Sequence, residues 1–135
     1  MKIVLDTNCL LVALPKKSPY HSVWEAFLCG KLRLCYSTGI LQEYEEVLLR
    51  NYPVATTSII MERLLKLPDT VPSISHFRWQ LITADPDDNK FVDCALNAGA
   101  DYIVTNDKHF NVLKDIDFPP IKVIDIAAFT EMLKQ

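Results

Sequence analysis

Short apolar runs rich in β-branched residues alternate with helix-periodic stretches along the whole chain, and this alternation restricts the fold most. Lys2-Ile3-Val4-Leu5 reads as a buried parallel strand. Asp6-Thr7-Asn8 ends it, and a helical stretch follows. Pro15 to Pro19 is a loop carrying Lys16 and Lys17. His21 to Cys29 predicts a helix with Val23, Trp24, Phe27 and Leu28 on one side, closed by Gly30. Leu32 to Tyr36 is a second strand. Ser37 or Thr38 then caps a helix to about Asn51, whose apolar residues Ile40, Leu41, Tyr44, Val47 and Leu48 recur at helical spacing.

The second half continues the pattern. Thr57 to Leu67 reads as a helix, Pro68 to Pro72 as a loop, and Phe77 to Thr83 as a strand. Asp85-Pro86-Asp87 starts a helix that runs to about Ala98 and stops at Gly99. Tyr102-Ile103-Val104 is a strand ended by Thr105-Asn106-Asp107, with a short helical turn behind it. Ile121 to Ile124 is a last strand and Ile126 to Leu133 a last helix. Strands alternating with helices imply an α/β domain with a mostly parallel sheet and helices on both faces. No linker or repeat interrupts residues 1–135, so one domain is expected.

Composition narrows the class. Half the residues are apolar, enough for a core and against disorder. The net charge of −3 does not advertise a nucleic-acid binder, yet acids that hold a cation make the count acidic while the cation reverses the local sign. Cys9, Cys29, Cys35 and Cys94 form no C-x-x-C pair, and His21, His76 and His109 complete no zinc pattern. Buried reduced thiols are expected, in keeping with a reducing cytosol. The apolar stretch Met1 to Leu14 carries Asp6 in its middle and no small-residue cleavage site, so it does not read as a signal peptide. No run approaches a membrane span. The expected location is cytoplasmic.

The chemistry lies in carboxylates at strand ends. Ligands of open α/β sheets bind outside the carboxyl ends of the strands. Asp6 directly follows one strand and Asp107 lies just beyond another. Such an Asp is also a common turn residue. At about 100° per residue, Phe91, Val92, Ala95, Leu96 and Gly99 define one helix face, and Asp88 falls near its middle one turn earlier. Asp87 falls about 110° away and Asp93 points to the far side. Asp85 and Asp87 are better placed for capping, which leaves Asp88 for another partner. Glu43 and Glu45 flank the apolar face of their helix on opposite sides, and periodicity does not choose between them. Carboxylates brought together repel one another unless a hard divalent cation such as Mg²⁺ or Mn²⁺ joins them.

These residues resemble the PIN domain. The resemblance rests on the strand ending in Asp6-Thr7-Asn8, on Ser37-x-x-Ile40-Leu41-x-Glu43-x-x-x-Val47-Leu48, on Asp85-Pro86-Asp87-Asp88-Asn89-Lys90-Phe91 with Ala95 and Gly99-Ala100-Asp101, and on Val104-Thr105-x-Asp107. It is similar in particular to bacterial and archaeal PIN proteins of the VapC-like kind, toxins of toxin–antitoxin pairs. The resemblance implies a three-layer α/β/α fold with about five strands and an Mg²⁺- or Mn²⁺-dependent endoribonuclease site. It implies Asp6, Glu43, Asp88 and Asp107 as catalytic and metal-holding acids, and it is what selects Glu43 over Glu45. Asp6, Asp88 and Glu43 would hold the metal, while Asp107 would hold a second ion or orient the attacking water. Asn8 and Thr105 match supporting polar positions. Lys90, Lys108 and His109 are candidate RNA contacts near the acids in sequence, with Lys16 and Lys17 further off. The implied partners are RNA, a small antitoxin protein and a second copy of the chain, with the helices at Ser58–Leu65 and His21–Cys29 as candidate apolar contacts.

Two rival readings stand beside this one. Strand–Asp6-Thr7-Asn8 also resembles the nucleophile strand of haloacid-dehalogenase-like phosphatases, but the second Asp of that motif is here Asn8. A non-catalytic RNA-binding or scaffold module would keep the fold without turnover, and the acidic net charge leans that way.

Overall fold

A computed structural model of the protein describes residues 1–74, 82, 88–115 and 121–134. Five parallel strands form one sheet: β1 (Lys2–Leu5), β2 (Arg33–Tyr36), β3 (Val71–Pro72), β4 (Tyr102–Val104) and β5 (Val123–Ile124). Their order is β3-β2-β1-β4-β5. The helices are α1 (Thr7–Ala13), α2 (His21–Leu28), α3 (Thr38–Asn51), α4 (Val54–Leu65), α5 (Asn89–Ala98) and α6 (Ile126–Leu133), with a 3-10 helix at Lys108–Asp115. Successive side chains of a strand point to opposite faces. Ile3, Val4 and Leu5 are all buried, so both faces of the central strand are covered, as a parallel sheet requires.

The topology makes one crevice. The chain leaves β1 for β2 on one side, and β4 later pairs with β1 on the other, in the register Leu5↔Val104. Ligand crevices of open α/β sheets form at such a reversal, beyond the carboxyl ends of the strands. The amide of Asp6 donates to the carbonyl of Val104 at 3.0 Å, so the residues that leave the two strands stay side by side.

Local chemistry explains three of the helix ends. The Ser37 hydroxyl accepts from the amide of Ile40 at 3.3 Å and caps α3. Ile40, Tyr44 and Leu48, four residues apart, are the buried stripe of that helix. Gly99 ends α5 with φ of 68°, a left-handed conformation that costs a glycine little. Asp125 caps α6 by accepting from Ala128 at 2.8 Å.

Several sequence expectations need correction. Val71–Pro72, read as loop, forms the edge strand β3, where a proline is tolerated because its missing donor faces outward. The strand expected at Phe77–Thr83 lies outside the described residues apart from Ile82, as do Asp85, Pro86 and Asp87. α4 begins at Val54, directly behind Pro53, rather than at Thr57, and it ends at Leu65. Asp93 does not point to solvent: five consecutive residues, Phe91 to Ala95, are buried, so α5 is covered on more than its apolar face. Cys9, Cys35 and Cys94 are buried as expected, and Cys29 is exposed. Burial pushes the thiols of Cys9 and Cys94 up to about 12 and that of Cys35 up to about 11, which keeps them protonated and inert.

Candidate metal centre

The crevice at the ends of β1 and β4 collects the carboxylates. Asp6 stands at the N-cap of α1 and is only 7% exposed. Its Oδ2 accepts the hydroxyl of Thr105 at 2.9 Å. Burial raises the Asp6 carboxyl above its ordinary range. The bonds from Thr105 and from the Thr7 amide pull it back, and the charges of Glu43 and Asp107 push it up again. Its neighbours therefore include two further acids.

Thr105 reaches both ways. The same hydroxyl oxygen accepts the amide of Asp107 at 3.0 Å, while Asp107 Oδ1 accepts the amide of His109 at 2.9 Å. The turn after β4 is thereby folded so that Asp107 and His109 face the start of α5. Asp88 holds the N-cap position of α5, yet its carboxylate makes no capping bond. It faces His109 instead, with Nδ1 at 3.6 Å from Asp88 Oδ2 and 3.4 Å from Asp107 Oδ1. One donor atom from each of Asp88, Asp107 and His109 lies within 4.8 Å of the other two.

Glu43 enters from α3. Its Oε2 accepts the hydroxyl of Thr7, and its Oε1 pairs with Lys90 Nζ at 2.7 Å. Glu45 is exposed on the same helix. The wall behind Asp6 is fixed by Tyr44, fully buried, whose hydroxyl donates to the carbonyl of Leu5.

The structure thus brings Asp88 and Asp107 together, joins Asp6 to Asp107 through Thr105, and places Glu43 behind Thr7. Asn8 is exposed on the first turn of α1 and, among the described residues, makes no hydrogen bond to the acids. Lys108 is exposed. Lys90 is not a free surface charge, because its ammonium is committed to Glu43. His109, expected only as an RNA contact, sits among the acids. Its two-residue spacing from Asp107 and a short helical turn behind β4 were legible in sequence, but not that this turn carries the imidazole between Asp88 and Asp107.

The donor set suits a divalent cation. Carboxylate oxygens favour Mg²⁺ or Mn²⁺, and an imidazole nitrogen is compatible with the softer of the two. Beside the acids opens a cavity of about 450 Å³, lined by Tyr20, Asn106, Asp107, Lys108, Asn111 and Lys114 among others. It sets polar and cationic groups next to Asp107.

Comparison with known proteins fits this geometry. The family model of the PIN domain matches residues 2–109, a span that includes all four acids and His109, and the chain belongs to that family. It is similar in fold to VapBC2 from Rickettsia felis, solved bound to a DNA fragment from their promoter, with a TM-score of 0.65 at 16% identity over 93% of this chain and 98% of that one. It is also similar to PAE2754 from Pyrobaculum aerophilum, with a TM-score of 0.61 at 12% identity over 99% of this chain and 90% of that one. No curated protein sequence matches it. The family match stands against the haloacid-dehalogenase-like reading. Among the described residues, no helix is long and apolar enough to cross a membrane.

Proposed function

We propose that the protein is a divalent-metal-dependent endoribonuclease, acting as the toxin of a toxin–antitoxin pair. The observation that carries the catalytic part is the meeting of Asp88, Asp107 and His109 at one point, with Asp6 tied to it through Thr105. When bound, Mg²⁺ or Mn²⁺ would supply acidity to a water and offset charge on the scissile phosphate. Asp88 and Asp107 would hold the ion, with Asp6 and the His109 imidazole beside them. Thr105 keeps Asp6 and Asp107 at a constant separation. Asp6, buried beside these groups and placed by its bond from Thr105, is positioned to accept a proton from the attacking water. Hydrolysis joins the water oxygen to phosphorus and breaks the bond to the leaving ribose oxygen. Lys108 and the cavity beside Asp107 would receive the flanking phosphate and nucleotide.

The toxin role rests on the motif resemblance and on the fold shared with the Rickettsia felis protein. It implies a small antitoxin protein, a homodimer and a cytoplasmic location. Of the two helices considered for contacts, α2 buries Val23, Trp24 and Phe27 in the core, whereas α4 leaves Ile59 and Leu65 exposed. The direct test is cleavage of end-labelled RNA and of the same sequence as DNA. RNA cutting that requires Mn²⁺ or Mg²⁺ and stops with EDTA is expected. Binding of RNA without any metal-dependent cutting would favour the non-catalytic module.

A further inference from the structure

The ion pair between Lys90 and Glu43 has the marks of a built cation site. Both oxygens of Glu43 are engaged, Oε2 by the Thr7 hydroxyl and Oε1 by the Lys90 ammonium at 2.7 Å. The pair is partly withdrawn from water, with the side chains 30% and 26% exposed. The stem of Lys90 is seated against α3, where its Cδ lies 3.7 Å from the position a Cβ would take on Gly39. The ammonium also stands 5.7 Å from the ring centroid of Phe91, a buried neighbour. Lys90 and Asp88 both come from the start of α5, so one helix end supplies an acid to the Asp107 side of the crevice and a cation to the Glu43 side. A divalent ion on Glu43 would have to displace the ammonium and would meet its repulsion at close range.

We infer that Lys90 is an internal cation that holds Glu43 in place of a second metal and limits the centre to one divalent ion. This deepens the nuclease reading and rests on it. Lys90 is then a positioning residue: it holds Glu43 fixed behind Thr7 and Asp6, while the single ion sits with Asp88 and Asp107.

The experiment counts Mn²⁺ bound to the full-length chain, by the loss of the free-ion electron paramagnetic resonance signal and by calorimetry. One ion per chain is expected for the wild type, and its loss in Asp88→Asn. Lys90→Met should admit a second ion, which Glu43→Gln in the same chain removes again. Lys90→Arg should stay at one. Two ions in the wild type, or one ion in a folded Lys90→Met chain, overturns the inference and leaves the nuclease reading standing. If Lys90→Met fails to fold by circular dichroism, Glu43→Gln alone decides. Retention of the single ion within about tenfold in affinity supports the inference, and its loss makes Glu43 a ligand and overturns it. A wild-type chain that binds no Mn²⁺ overturns both.

Discussion

Thr105 donates its hydroxyl to Asp6 at 2.9 Å across a sequence separation of 99 residues, and it accepts the amide of Asp107 with the same oxygen. One side chain thus fixes two acids that different strands deliver. The pairing of β1 with β4 makes this possible, since Leu5 and Val104 lie in register immediately before Asp6 and Thr105.

Thr105→Val keeps the shape and removes both bonds. The buried carboxylate loses a charge-assisted partner, at a cost of about 1.5–3 kcal/mol in stability. Metal-dependent cleavage should fall by about 10- to 100-fold, the usual effect of losing a group that orients a ligand. Thr105→Ser should recover most of both. Denaturant titration and initial cleavage rates are the measurements. A Val variant as active as wild type would separate Thr105 from the site.

The raised carboxyl of Asp6 makes a pH prediction with a definite sign. Between the ordinary Asp range and its own raised value, the folded chain keeps a proton that the unfolded chain has released. Stability contributed by Asp6 is therefore present below the unfolded pKa and lost as pH rises through the folded one. Asp6→Asn carries no charge and escapes that loss. In EDTA, the Tm of Asp6→Asn relative to wild type should rise as pH increases from the ordinary Asp range of about 4. A gap that stays constant or shrinks would contradict the burial argument.

Tyr44 buttresses the site from α3. Tyr44→Phe removes a buried hydroxyl that donates to the carbonyl of Leu5, the residue before Asp6. The expected loss is about 1 kcal/mol of stability, with a smaller effect on cleavage, because Asp6 keeps its bond to Thr105. Chemical denaturation reads the first and cleavage rate the second. A larger loss of cleavage than of stability would make Tyr44 a direct participant.

Legibility in the sequence followed the range of the interactions. β1 and β4 could be read because a buried parallel strand is a continuous apolar run, and α3 and α5 because their apolar positions repeat at helical spacing. Asp88 could be singled out by the same geometry, and its carboxylate does face the crevice rather than cap its helix. Glu43 and Glu45 could not be separated by periodicity, since the difference lies in a contact with Thr7, 36 residues away. β3 was missed because two residues including a proline carry no strand pattern, and its pairing with Cys35 and Tyr36 is decided across the sheet. The burial of Asp93 was missed because a helical wheel shows which face is apolar, and not how much of the helix its neighbours cover. Lys90 looked like a surface charge for RNA, and only the packing of α5 against α3 reveals it bound to Glu43.

The most direct test compares cleavage of one end-labelled RNA by wild type, Asp6→Asn and Asp88→Asn, each purified free of any inhibitor, in Mn²⁺ or Mg²⁺. Metal-dependent cutting by wild type, reduced about 100-fold or more in both variants while their folds persist, is the predicted result. Wild-type protein that cuts no faster than Asp6→Asn would contradict the account.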